Sequence, residues 1–453
     1  MNRRRFLAGA AAFAAATPAA AAVGPEAPML SSTLDGAELG VDPARANSQS
    51  RGLQRLLEVA SDDNRELFLP AGTYMVSELK LPPRTRLAGV PGATRLVFGG
   101  GEFMMAGERL ALVSLRDLTI DGAGQPMADY VPGLVHLTEA PNVTIANCII
   151  TGSTRAGLAL DRSGGSITRT TVRNAADAGI RALEATGLSL TDNIVEDCGN
   201  GGILVHRWSA REDGTIVTGN RVHRVGYADI GDGPNGCGIS VFRADGVILA
   251  NNRIADCARH TIRVRSAANV QVTGNNCSGA ADAGIRADMD FAGIVIASNI
   301  VNRAATGVSL ASRGGDSRSA IVSGNLVRDI VAPAPAEGAD ADPTAGVGIA
   351  VEADVALTGN VVETADKAGL WIGRSAASGD VAATGNFIRG APVGIAVSVA
   401  GGAGSAVISD NLISGAEKGA ILAMRGGEAV SGDLVRGGAG RYPHLTVERN
   451  RTA

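Results

Sequence analysis

The 453-residue chain is poor in aromatic side chains, which make up only 3% of it. A core built from large rings is therefore excluded, and the apolar filling must come from small and branched residues. Lysine is nearly absent: Lys80, Lys367 and Lys418 stand alone, and arginine carries the rest of the positive charge. The formal net charge is -4, or about -7 without Arg3, Arg4 and Arg5, so no global basicity invites nucleic acid or acidic lipid. No apolar run reaches the ~20 residues that span a bilayer. Five cysteines (Cys148, Cys198, Cys237, Cys257 and Cys277) form an odd set without paired spacing, which excludes a disulfide framework. Buried thiols are expected instead. With no CxxC or His-x-x-x-His spacing, neither a metal nor a cofactor is expected.

Glycine is what the chain has in excess, 61 residues, with 45% apolar residues beside it. No three-residue rhythm accompanies the glycine, so collagen is excluded, and the hydrophobicity is too high for disorder. Short strands and tight turns are the expected outcome. The first 22 residues, MNRRRFLAGAAAFAAATPAAAA, have a charged start, a short apolar run and small residues suited to cleavage. They read as an export signal, and Arg3-Arg4-x-Phe6-Leu7 resembles a twin-arginine leader. The expectation is a periplasmic or secreted protein that uses the twin-arginine export machinery and has no stable membrane insertion. An uncleaved N-terminal anchor is the alternative.

The heptapeptide ADAGIRA occurs at Ala176 to Ala182 and again at Ala281 to Ala287. Its recurrence follows from a repeat of roughly 25 residues. An asparagine column runs through Asn147, Asn193, Asn220, Asn252, Asn275, Asn299, Asn325, Asn360, Asn386 and Asn411, with Thr170 substituting once. Most members are followed by Gly and two apolar residues spaced by one, as in GILV at 202 and GIAV at 394. That alternation marks a strand with one buried face. A rung of this size cannot bury its apolar side alone, so rungs must stack about 4.8 Å apart. Both heptapeptides then fill the same slot four rungs apart, with Ile180, Ala182, Ile285 and Ala287 pointing inward. Gly179 and Gly284 are expected to allow the bend into the strand. The asparagines are read as a structural ladder, bonded to their own backbone and to their equivalents on neighbouring rungs.

Before the rungs, ARANSQSRGLQRLLEVASDD places Leu53, Leu56, Leu57 and Ala60 at helical spacing. The division expected is a signal at 1–22, a linker at 23–41, a cap helix and first strands at 42–90, a solenoid at 91–425 and a closing segment at 426–453. The helix, LFLPAGTY from Leu67 to Tyr74, the L-x-G turn Leu87 to Gly89 and the asparagine rungs together resemble the right-handed parallel β-helix, or pectin-lyase-like, superfamily. Within it, the chain is most similar to exported twin-arginine β-helix repeat proteins without an established activity. The resemblance implies an all-β, single-stranded right-handed parallel β-helix (solenoid) of about 11 to 13 rungs with an N-terminal capping helix. It also implies carbohydrate as the ligand class. Known enzyme signatures are missing: there is no G-H-G, no D-P-H-E, and TDN at Thr191 to Asn193 is a ladder turn.

Residues two and four past each strand glycine are expected to face solvent. In the middle rungs they gather His206, Phe242, Arg263, Arg265, Arg286 and Asp288, with Arg181 on an earlier rung. Nearby bends and loops add Asp177, His260, Asp282, Arg207, Trp208, Tyr227, Asp229 and Asp232. Arginine forks bind carboxylates at two points, and an aromatic face stacks on a sugar ring. The patch therefore suits an acidic polysaccharide. For β-elimination, Arg263, Arg265 or Arg286 would neutralise the uronate while His206, Tyr227 or His260 removes the proton. Hydrolysis would need paired carboxylates from Asp177, Asp282 and Asp288, separated by ~5 to 9 Å. Two readings stand: a lyase or glycoside hydrolase, and a non-catalytic binding or envelope-associated solenoid. A trimeric adhesin is a third.

Overall fold

The computed structural model describes residues 33–42, 48–226, 236–311, 318–334, 342–352, 354–373 and 379–453. The signal segment, Tyr227, Asp229 and Asp232 lie outside these residues. Within them the chain winds through about thirteen turns, most contributing three strands, the second and third being continuous in Asn276–Asp288 and Ile300–Ala311. The rung Leu188–Thr191, Ile194–Cys198 and Gly201–Glu212 is representative. First strands stack into one sheet of sixteen, and second and third strands share another of twenty-eight. Every pairing between rungs is parallel; the single antiparallel pair among the described residues is Gly419–Arg425 with Glu428–Ala429.

The core follows from alternation carried upward in register. Ile180 pairs with Ile203, Ile203 with Ile239, Ile239 with Ile262 and Ile262 with Ile285, all fully buried. Because like stacks on like, each β-branched side chain meets the same shape above and below. The helix Ser50–Asp62 packs its buried Leu53, Leu56, Leu57 and Ala60 on the first turn. Gln54 ties it there, accepting from Lys80 N and donating to Lys80 O, each at 2.9 Å.

The ladder is a continuous amide chain. Asn275 Nδ2 donates to Asn299 Oδ1 at 3.0 Å and to the Leu249 carbonyl at 2.9 Å, and its backbone N–H also meets Asn299 Oδ1 at 2.9 Å. The same set recurs at Asn193, Asn220, Asn252, Asn299, Asn325, Asn360, Asn386 and Asn411. The carbonyl that each side chain reaches belongs to the preceding rung, and Asn220 also reaches the Thr218 carbonyl of its own at 3.1 Å.

Two further expectations are corrected. Asn147 is not in the ladder: the register puts Cys148 opposite Thr170, and Asn147, at φ 54°, occupies the left-handed position before it. Asparagine is common at both places, so an offset of one residue preserves the pattern by eye. At the other end Asn450 takes the last step, beyond residue 425, where Leu445–Glu448 and Arg451–Thr452 continue both sheets.

Gly179 and Gly284 also serve differently from expected. Neither has a positive φ. A Cβ on Gly284 would collide with Val301 Cγ1 and stand 2.9 Å from the Gly307 carbonyl oxygen. The glycine column therefore exists because backbones approach closely at this corner. All five cysteines are free and buried, and Val225 separates Cys198 from Cys257 as their spacing implies.

Removing one rung of the ladder strands several buried groups at once. Asn299→Ala leaves the Asn275 amides, the Val272 carbonyl and Asn325 Oδ1 short of partners. Such losses cost about 2 to 4 kcal/mol. Urea unfolding should register that loss, and a change below ~0.5 kcal/mol would contradict the role.

Candidate functional site

The third strand of each rung turns alternate residues away from the core, and the register stacks them into two columns. One runs Arg181, Leu204, Ser240, Arg263, Arg286, Ser309. The other runs Leu183, His206, Phe242, Arg265, Asp288, Ala311. His206, Phe242, Arg263, Arg265, Arg286 and Asp288 thus share one wall. Arg181 lies at its early end, its Nη1 3.9 Å from Asp161 Oδ1.

The wall is outward but not open. Ser240 and Asp288 are buried, and the side chains of Arg263 and Arg286 are 14% and 22% exposed. Asp288 Oδ2 accepts from Arg263 Nη2 at 2.7 Å and from Arg286 Nε at 3.0 Å. Arg286 Nη1 also lies 3.5 Å from Asp342 Oδ2. Two of the three arginines proposed to neutralise a uronate are thus already neutralised.

The histidines are equally committed. His206 Nε2 shares a 3.0 Å hydrogen bond with Ser240 Oγ, and its ring meets Phe242 edge-on, centroids 5.9 Å apart. Burial, followed by the charges of Arg265 and Arg181, pushes its pKa down to about 4. His260 is buried with Nδ1 accepting from the Ala283 N–H at 3.2 Å, and burial holds it well below the usual imidazole value. At neutral pH both rings are uncharged and weakly basic.

The carboxylates do not assemble into a pair. Asp177 and Asp282 fill the same slot four rungs apart, about 19 Å, beyond the ~5 to 9.5 Å that hydrolysis uses. Asp282 stands six residues before Asp288 on the strand Asn276–Asp288. Asp177 accepts from Asn200 Nδ2 at 3.0 Å within its bend. Burial raises the pKa of Asp282.

What remains open is Trp208, 68% exposed, on a bulge where the register slips between His206 and Arg211. The bulge is pinned from beneath. Buried Arg207 donates Nη1 to Asp213 Oδ2 at 2.8 Å and to the Ala185 carbonyl at 2.6 Å, and Nη2 to Glu184 Oε2 at 3.0 Å. Glu184 Oε1 accepts the Trp208 N–H at 2.6 Å, and Arg211 pairs with the same carboxylate. Arg243 donates to the Trp208 carbonyl and lies 4.7 Å over the Phe242 ring. Arg265 lies 4.7 Å from the same ring. Neither Arg243 nor Arg265 has a carboxylate within ion-pair distance among the described residues. Burial and the Arg263 charge push the Arg265 guanidinium below its ordinary value.

Sequence reasoning missed Arg243, Glu184 and Asp213. Arg243 follows Phe242 directly, and the surplus residues between His206 and Thr215 were the available sign of a bulge. A separate groove of about 780 Å³, lined by Thr154, Asn174, Ala176, Gly199 and Arg224, follows the bend between second and third strands. Its cation is spoken for: Arg224 bridges Asp197 at 2.6 Å and Glu196 at 3.0 Å. Among the described residues no cluster of His, Cys, Asp and Glu could hold a metal, and no helix is long and apolar enough to cross a membrane.

A family model described as the right handed beta helix region matches residues 111–222 and 211–357, more than half of the chain. The chain belongs to the right-handed β-helix family. Its winding is therefore right-handed. Among solved structures, this β-helix is similar to the A-module of the mannuronan C-5 epimerase AlgE4 of Azotobacter vinelandii. The two are 14% identical over 92% of this chain and 100% of that one, with a TM-score of 0.48. The enzymatically active domain of bacteriophage CBA120 tailspike protein 2 is 13% identical over 64% of this chain and 47% of that one, with a TM-score of 0.49. PfbA, a surface adhesin of Streptococcus pneumoniae, is 13% identical over 84% and 90%, with a TM-score of 0.43. No curated protein matches in sequence.

The depressed His206 pKa carries a stability signature. The unfolded ring binds its proton near pH 6.5 and the folded one only near 4, so the unfolded state gains protons as pH falls between them. Stability is full above pH 6.5 and declines toward pH 4, with about 3 kcal/mol from this residue. His206→Gln should lessen the decline by that order in thermal melts across the window. An unchanged profile would contradict a ring held neutral in the fold.

Proposed function

We propose that this β-helix binds an acidic polysaccharide along the Trp208 wall and does so without turning it over. One observation carries the reading: Arg243 and Arg265 both lie 4.7 Å from the Phe242 ring, neither matched by a carboxylate among the described residues, beside an exposed tryptophan on a pinned bulge. An exposed indole offers a stacking face to a sugar ring, and guanidinium groups without an ion pair among the described residues offer recognition of its carboxylate. Rung spacing of about 4.8 Å lies close to the length of one sugar unit, so a polymer lying along the axis would meet one rung per unit.

The binding reading is favoured over a lyase because His260 is buried and His206 half-buried, desolvation lowering the basicity of both, and because Arg263 and Arg286 already share Asp288. The leader Arg3-Arg4-x-Phe6-Leu7 supports export of the folded chain to the periplasm or beyond, where such polymers occur.

Titration with uronate oligomers and with neutral glucans of equal length, followed by tryptophan fluorescence, tests the proposal. Uronates should bind, more weakly as salt rises, and neutral chains should not. Trp208→Ala and Arg265→Gln should each weaken binding tenfold or more, about 1.4 kcal/mol, and no unsaturated uronate or reducing end should accumulate. Equal affinity for neutral chains, or indifference to both substitutions, would overturn it; turnover would restore the enzyme reading.

A further inference from the structure

Past Ser309 the outward column changes character. Ala350, Trp371, Ala396 and Leu422 stack in register, and Val347, Ala368 and Val393 stack beside them. With Met424 they form a second apolar cluster, separate from the core. The C-terminal segment turns back over it through Glu428–Ala429, Ser431 and Gly432, leaving a cavity of about 350 Å³. Two of the chain's three lysines, Lys367 and Lys418, stand at its edge. Lys367 Nζ lies 4.5 Å over the Trp371 ring and donates to the Pro343 carbonyl at 2.8 Å. Trp371 itself is only 5% exposed, and its indole N–H has no acceptor among the described residues. A buried donor of this kind is costly unless a partner completes it.

We propose that this cavity is a binding site for a small amphipathic carboxylic acid, an aliphatic acid of about eight to twelve carbons. The apolar tail would cover Val393, Ala396, Leu422 and Met424. The carboxylate would accept from Trp371 Nε1 and pair with Lys367 and Lys418, a charge-assisted arrangement that an uncharged head group does not reproduce. Asp366, the acidic residue on the lining, is engaged elsewhere, its Oδ2 accepting from the Ala332 N–H at 3.0 Å. The site is independent of the Trp208 wall and of any polysaccharide bound there.

The full chain carrying Trp208→Phe leaves Trp371 as the sole tryptophan, since the sequence has two. Decanoate, kept below its micellar concentration, should give a saturable change in Trp371 fluorescence, and decanol should bind at least tenfold more weakly. Lys367→Gln combined with Lys418→Gln, both at exposed positions, should weaken decanoate at least tenfold while leaving decanol affinity and the thermal midpoint in place. Trp371→Phe, followed by calorimetry, should weaken decanoate again. The proposal is overturned by an absence of saturable decanoate binding, by equal affinity for the alcohol, or by lysine variants that bind decanoate as tightly as the parent.

Discussion

Everything in this molecule depends on rungs stacking in register, and a buried line of amides enforces it. Each ladder asparagine uses both side-chain hydrogens and its oxygen on neighbouring rungs, so a slip of one residue would leave donors and acceptors unpaired in an apolar interior. A parallel sheet has little else to resist slippage where its apolar residues are interchangeable. The glycine column adds a steric check, because only a residue without Cβ fits where successive corners come close. Thr261 is an instructive exception: its hydroxyl donates to the Gly284 carbonyl, turning the close approach into a bond. Thr170 does something similar in the ladder, its N–H meeting Asn193 Oδ1 at 3.0 Å.

Register turns residues far apart in the chain into neighbours, which both creates and disarms chemistry. His206, Phe242, Arg265 and Asp288 are successive steps on one wall. The same stacking that collects the arginines also places Asp288 within reach of two of them, and the cluster becomes largely self-neutralising. Arg243 and Arg265, without a carboxylate at ion-pair distance among the described residues, lie beside the Phe242 ring.

The architecture was readable because periodicity is a one-dimensional signal. Ile180 and Ile285 are buried as equivalents, and both outward columns align through the middle rungs as counting from the glycines implied. Exceptions arise where a residue type fits two adjacent places or where a step is irregular. Asn147 suits the left-handed turn as well as the ladder, and Asn450 follows Asn411 only after a long insertion. Gly284 looked like a bend residue because glycine so often is one; the crowding that requires it comes from Val301 and Gly307, visible only once rungs are stacked. The partial burial of Arg263 and His206 was hidden for a related reason, since their partners Asp288, Ser240 and Phe242 belong to neighbouring rungs. Glu184, Arg207 and Asp213 form their buried cluster only when two turns of chain are brought together.

In-register stacking can be measured directly between the two copies of the heptapeptide. Spin labels at positions 177 and 282, introduced as cysteines, sit in one slot four rungs apart, and the five native thiols are buried. Pulsed dipolar spectroscopy should return a single narrow distance near 20 Å, set by four spacings of about 4.8 Å. A distance well beyond 30 Å, or a broad distribution, would contradict the stacking on which both proposed sites rest.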